Sequence, residues 1–175
     1  LKDGHIVANG TVNITSGNLN FDGSGTRSWY TGDAGAINVK TATGLSAGSI
    51  EILGSGKTTF SKLTSIASGQ SIEVKNTAKV DFGGQTVGGS GVLKLNAGTT
   101  LGNITLGALT LDLTALTLDN STPKVNLDGS VSFTENSVIK LGNVTAGGTY
   151  KIFDAGVTSA DSLTYKNFSS DSVAI

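Results

Sequence analysis

Apolar and polar residues alternate in short runs along most of this chain. Ile50 and Ile52 flank Glu51, Thr58 and Phe60 flank Thr59, and Leu63 and Ile66 form a third apolar patch. Alternation with period two is the signature of a strand that buries one face. Between the runs stand Gly48, Gly54, Ser55, Gly56, Ser68 and Gly69, residue types suited to tight corners. No stretch carries the apolar period of an amphipathic helix.

The pattern repeats. Ser46, Ser49, Ile50, Glu51, Ile52, Lys57 and Phe60 recur in order as Ser68, Ser71, Ile72, Glu73, Val74, Lys79 and Phe82, each pair 22 residues apart. A third copy opens at Ser90-Gly91, where Leu93 and Leu95 replace Ile72 and Val74 after one deleted residue. A fixed period in this range marks an architecture in which each repeat leans on its neighbours. Three short strands and three corners make one coil, and coils stacked roughly 4.8 Å apart place equivalent residues in ladders. Ile50, Ile72 and Leu93 form one inward ladder, and Phe60 over Phe82 another. The expected fold is all-β: a single-stranded, right-handed parallel β-helix, or β-solenoid, with coils of about 18 to 22 residues, the hand following from the preference of parallel crossovers.

Outside the clear repeat the pattern continues less regularly. Val12 with Ile14, and Leu19 with Phe21, are separated by Ser16-Gly17. Residues 22–34 lack alternation and hold the only Trp and the only Arg, which predicts a bulge from the stack. Ala36, Ile37 and Val39 resume the strands. Beyond Leu95 the alternation persists in Leu101, Ile104 and Leu106, then in Leu109, Leu111 and Leu113, then in Leu116 and Leu118. Residues 120–124 interrupt it again, with Pro123 expected at a corner because it cannot donate to a ladder. Val125, Leu127, Val131, Phe133, Ile139 and Leu141 add further faces. Tyr150, Phe153, Tyr165 and Phe168 make the tail richer in aromatics. The chain thus divides into coils over 1–142, clearest at 46–67, 68–89 and 90–111, and terminal coils or a cap over 143–175. The apolar Val173-Ala174-Ile175 would leave a bare ladder edge, so either the aromatic region covers it or a longer protein continues past it. A start at Leu1 rather than Met suggests a mature product or an excised segment.

Composition sharpens this picture. With 37% hydrophobic residues, 6% aromatic residues and no Met, burial rests on Val, Ile and Leu in thin layers. Only 14% of residues are charged and the net charge is −1, which argues against nucleic acid as a partner. No apolar run approaches the roughly 18 to 20 residues of a membrane span, so this segment is not expected to insert in a membrane. The absence of Cys removes disulfides and thiolate metal sites.

Most chemical motifs fail on inspection. Gly54-Ser55-Gly56-Lys57-Thr58 resembles the end of a phosphate-binding loop, but Glu51 stands where its first glycine belongs. The Gly88–Gly91 stretch has Leu93 where a calcium-binding repeat needs aspartate. A calcium loop opening at Asp22 has Arg27 at its obligatory glycine. With His5 the only histidine, neither a zinc site nor a Ser-His-Asp triad is expected. Sequons at Asn13, Asn103, Asn120, Asn143 and Asn167 are common by chance in so Asn- and Thr-rich a chain. Glu51 and Glu73 are the serious enzymatic candidates, since equivalent outward positions on adjacent coils lie about 5 Å apart, near the spacing of a retaining glycosidase. The repeat alone accounts for that pair, however, and Lys94 takes the next rung. The expectation is a solvated charge ladder, with no enzyme activity and no cofactor. Arg27, Trp29 and Tyr30 are the candidate binding residues, being types enriched in interaction hot spots. The competing reading, favoured by the cost of exposing a lone Trp, is that Trp29 folds back over the coil below.

The runs Gly91-Val-Leu-Lys-Leu-Asn-Ala-Gly-Thr-Thr-Leu101 and Val131-Ser-Phe-Thr-Glu-Asn-Ser-Val-Ile-Lys-Leu141, with their glycine-cornered, cysteine-free coils, resemble passenger domains of bacterial type V autotransporter adhesins. The resemblance covers the chain from Leu1 to about Asn143. It implies a right-handed β-helix exported across the outer membrane, secreted or displayed on the bacterial cell surface for attachment or self-association. The implied partners are a host surface protein or glycan, or another copy of the chain. Passenger domains often end in an autochaperone region, which the aromatic tail would match, and no translocator barrel follows Ile175, which implies a fragment. The alternatives are a carbohydrate-active β-helix enzyme and a phage tail-spike stalk.

Overall fold

The computed structural model describes residues 4–16, 21, 23–119, 122–134, 136–142, 150, 152–154, 157–158 and 164–166. Among them the chain forms eighteen strands and no helix. Every strand pairing among them is parallel. One face stacks β1 (Ile6–Ala8), β3 (Thr26–Thr31), β6 (Ser49–Gly54), β9 (Ser71–Val74), β12 (Val92–Leu95), β14 (Thr110–Leu113), β16 (Val138–Leu141) and β18 (Thr164–Lys166). A second face stacks β2 (Thr11–Ile14), β4 (Ala36–Val39), β7 (Lys57–Phe60), β10 (Lys79–Asp81), β13 (Thr100–Leu106), β15 (Asn126–Phe133) and β17 (Val157–Thr158). A short third face pairs β5 (Gly44–Leu45) with β8 (Ser65–Ile66), and a bridge from Ser65 to Gly88 carries it to the end of β11 (Thr86–Val87). The fold is a parallel β-solenoid.

The ladders expected from the repeat are present. Ile50 pairs with Ile72, and Ile72 with Leu93. Their column continues inward through Leu111 and Ile139, all fully buried. Beside it run Ile52, Val74, Leu95, Leu113 and Leu141. Lys57, Thr58 and Thr59 pair with Lys79, Val80 and Asp81. That register carries Phe60 over Phe82, whose rings stack with centroids 5.8 Å apart.

The blurring of the repeat beyond Leu95 has a structural cause. In the preceding coil β10 and β11 are separate strands with the positive-φ Gly83 and Gly84 between them. In the next coil both pair with the single strand β13, Lys79 and Val80 at its start and Thr86 and Val87 at its end. A corner has been straightened out, so the coil shortens and Val92 lies opposite Thr110. The following coil is longer, with Thr110 opposite Val138, because it includes the interruption at Pro123 and the long β15. Between β13 and β15 the register slips around Gly129, whose φ of 140° marks a bulge. Pro123 lies outside any strand, as its missing N–H requires.

One expectation is overturned here. The bulge expected over 22–34 is absent from its described part, residues 23–34: Thr26 to Thr31 form β3, paired in register with β1 on one side and β6 on the other. Arg27 and Trp29 point inward and are fully buried, directly over Ile50 and Ile52. Alternation is intact in the backbone, but its inward positions are Arg27, Trp29 and Thr31, two of them polar, which hides the strand from a hydrophobic pattern. The expectation of an aromatic terminal region falls largely outside the described residues, as do Val173, Ala174 and Ile175. Within them, β17 and β18 extend both large sheets, and Tyr150 and Phe153 are buried.

Candidate binding surface

The register that buries one set of side chains lines up the other set outside. On the first face one outward column reads Ser28, Glu51, Glu73, Lys94, Asp112 and Lys140, each the register partner of the next. Ser28 also donates its backbone N–H to Nδ1 of His5 at 3.2 Å. The charged members bind along the column. Lys75, at the corner beside it, places Nζ 2.7 Å from Glu51 Oε1 and 3.5 Å from Glu73 Oε2. Lys94 Nζ is 3.2 Å from Glu73 Oε1, and Lys140 Nζ is 3.7 Å from Asp112 Oδ2. Asn96 adds a hydrogen bond to Glu73 Oε1 at 3.0 Å.

This setting decides the protonation of Glu73. Burial alone would push Glu73 up, but hydrogen bonds from Asn96 and Lys94 and the charges of Lys94 and Lys75 outweigh it and hold Glu73 below its usual range. Lys75 is raised, chiefly by its hydrogen bond to Glu51, which overcomes the opposing effect of desolvation. A glycosidase acid needs the reverse, a carboxyl kept protonated near neutral pH. The pair acts electrostatically as the salt-bridged centre of a ladder. The pH dependence follows from the signs. A lowered folded-state pKa makes the contribution of Glu73 complete above its unfolded value of 4.5 and loses it as pH falls through the folded value. We expect Glu73→Gln to flatten the acid limb of the stability profile by about 1 kcal/mol or less, as befits a solvated pair. An acid limb unchanged in chemical unfolding at a series of pH values would show that the ladder contributes nothing.

The second face carries a smaller cluster. Lys57 Nζ lies 2.8 Å from Asp81 Oδ2 and 3.4 Å from Asp128 Oδ2, and its pKa is raised, first by the Asp81 hydrogen bond. Asp81 also accepts the Gly83 N–H at 2.7 Å, which fixes the corner that follows. Near the start of the stack Asn38 donates to Asn13 at 2.8 Å. Among the described residues no group of three or more His, Asp or Glu is arranged to hold a metal ion.

The three candidate binding residues separate. Trp29 stacks on Phe60 at 5.6 Å and meets Phe21 at 6.3 Å, so it is a core residue. Arg27 donates to the carbonyls of Ala47 at 3.1 Å and Gly23 at 3.3 Å, and its guanidinium lies 5.5 Å from the centre of the Phe21 ring. Both are closed to direct contact with a partner. Tyr30 faces outward and is 44% exposed, in register with Val7 at 68% exposure on one side and Leu53 on the other. It anchors a short apolar strip beside the charged column. Lys75, Asn96, Asp112 and Lys140 were not singled out in the sequence, because the last two enter the column only through coils that depart from the 22-residue spacing.

Fold and surface together define a parallel β-solenoid with a charged outer ladder. No protein-family model, curated protein or solved structure matches the chain.

Proposed function

We propose that the chain is a segment of a secreted or cell-surface adhesin, a rigid solenoid whose outer ladders make attachment or self-association contacts, in the manner of autotransporter passenger domains. The observation that carries this reading is the outward column from Ser28 to Lys140, in which polar and charged side chains recur once per coil in fixed register. Such spacing suits many weak contacts made in parallel, with affinity gained from multivalency rather than from one deep pocket. The partner is a host surface protein or glycan, or a second copy of the chain. Tyr30, with Val7 and Leu53, offers the apolar contact that Arg27 and Trp29 do not.

Beads coated with the protein test the reading. We expect them to clump or to attach to host cells, and to do so less as salt is raised, since exposed charges are screened within about 10 Å at 0.1 M. Beads inert toward themselves, host cells and surface glycans at low salt would overturn it. Turnover of a polysaccharide that disappears in Glu51→Gln or Glu73→Gln would replace it with an enzyme.

A further inference from the structure

The charged column is self-complementary. From the Glu51 rung onward it reads acidic, acidic, basic, acidic, basic: Glu51, Glu73, Lys94, Asp112, Lys140. Lys166 holds the next register position. Turned end for end and laid against itself about the midpoint between Lys94 and Asp112, the column brings Lys94 opposite Asp112 and Glu73 opposite Lys140. Each opposition among the described side chains, Lys94 with Asp112 and Glu73 with Lys140, is between unlike charges. The operation is a twofold axis along the strand direction, which reverses the solenoid axis and sets each column against its own copy. A twofold along the solenoid axis would instead set each residue of the column against itself, like charge on every rung, which disfavours the parallel alternative.

We infer that this face is the contact surface between two antiparallel copies of the chain. The inference rests on the adhesin reading above and names its partner and its face. On the Ser71 side of the column the neighbouring outward positions do not obstruct the approach. The same axis places Ser71 opposite Val138 and Val92 opposite Thr110, all short side chains. The partners within one copy, Lys94, Lys75 and Asn96 on Glu73 and Lys140 with the Thr114 N–H and hydroxyl on Asp112, do not use up the carboxylates. Each carboxylate has about four lone-pair sites, so a lysine from the second copy is an added partner. Lys140, with its side chain 44% exposed, is the most accessible of these groups. Five rungs spaced about 4.8 Å apart, one short strand wide, cover roughly 300 Å² per copy, well under the ~800 Å² of a stable interface. One such contact is weak and salt-sensitive, and it acts through many copies displayed together.

The test uses the whole chain, checked for folding by circular dichroism, in sedimentation experiments over a concentration series at low and high salt. Glu73→Lys and Lys140→Glu are each expected to weaken association at least about tenfold, because each turns two attractive oppositions repulsive. An equimolar mixture of the two variants should associate again as the unaltered chain does. In the mixed antiparallel pair the lysine introduced at position 73 faces the glutamate introduced at position 140, and the two native residues face each other as before. Should Glu73→Lys fail to fold beside Lys75 and Lys94, the pair Lys94→Glu and Asp112→Lys carries the same mixing test. The salt dependence of the unaltered chain stands in either case. Association that persists in both variants, that is not restored by mixing, or that does not weaken with salt overturns the assignment while leaving self-association intact. A chain that stays monomeric throughout also overturns it, and the bead assay on host cells then decides the adhesin reading separately.

Discussion

Phe60→Ala should cost about 3 to 5 kcal/mol of stability, the range for truncating a large buried aromatic. Phe60 is fully buried in the middle of a stack, with Trp29 at 5.6 Å on one side and Phe82 at 5.8 Å on the other. The stack ties the two large sheets together, since Trp29 is on β3 and Phe60 on β7. Phe82→Ala should lie lower in the same range, because among the described residues Phe82 has one aromatic neighbour and each such pair is worth roughly 0.5 to 1.5 kcal/mol beyond burial. Urea unfolding of the three proteins checks both the size and the order. A loss below about 1 kcal/mol in either variant would place that ring outside the core.

The fold was legible wherever inward positions are aliphatic. Ile50, Ile72 and Leu93 announce themselves by spacing, and their pairing follows from it. Two physical effects hid the remainder. The first is a polar interior: Arg27 and Thr31 occupy inward positions of β3, so the stretch with the largest buried side chain looked like a loop. A repeat alignment carried one coil back, with Ser28 placed over Glu51 and Trp29 over Ile52, contains the missing signal. Phe21 and the carbonyls of Ala47 and Gly23 are what make the arginine tolerable there, and of these only the Ala47 carbonyl comes from a sequentially distant turn, while Phe21 and Gly23 carry no pattern that marks a buried arginine. The second effect is the changing coil length. A straightened corner at β13 and a lengthened coil through β15 erase the fixed period while leaving the ladders unbroken.

The same division governs the surface. Glu51 and Glu73 were recognisable as outward neighbours because they lie within the regular repeat. Their partner Lys75 is also legible in principle, since it follows Glu73 by two residues. Asp112 and Lys140 join the column only once the irregular coils are placed. The self-complementary order of charges therefore emerges from register, a property of the stack rather than of any local motif.

Corners supply the other large effect, and glycine substitutions separate two requirements that the sequence presents as one. Gly54 and Gly69 both have positive φ, 94° and 76°, yet their surroundings differ. A Cβ on Gly69 meets nothing within 4 Å, so Gly69→Ala should cost only the conformational penalty, about 1 to 2 kcal/mol. A Cβ on Gly54 would stand 1.9 Å from the carbonyl oxygen of Thr31. That oxygen accepts the N–H groups of both Ser55 at 3.0 Å and Gly56 at 3.3 Å, the bonds that turn the chain from the first face to the second. Backbone cannot yield as a flexible side chain would, so Gly54→Ala must push one coil off the next and break those bonds. Its cost should exceed that of Gly69→Ala by about 2 kcal/mol or more, a local strain compounded by lost hydrogen bonds. Equal losses for the two variants in reversible unfolding would mean that the corner at Gly54 relaxes freely, and that close coil-to-coil contact there does not hold the stack in register.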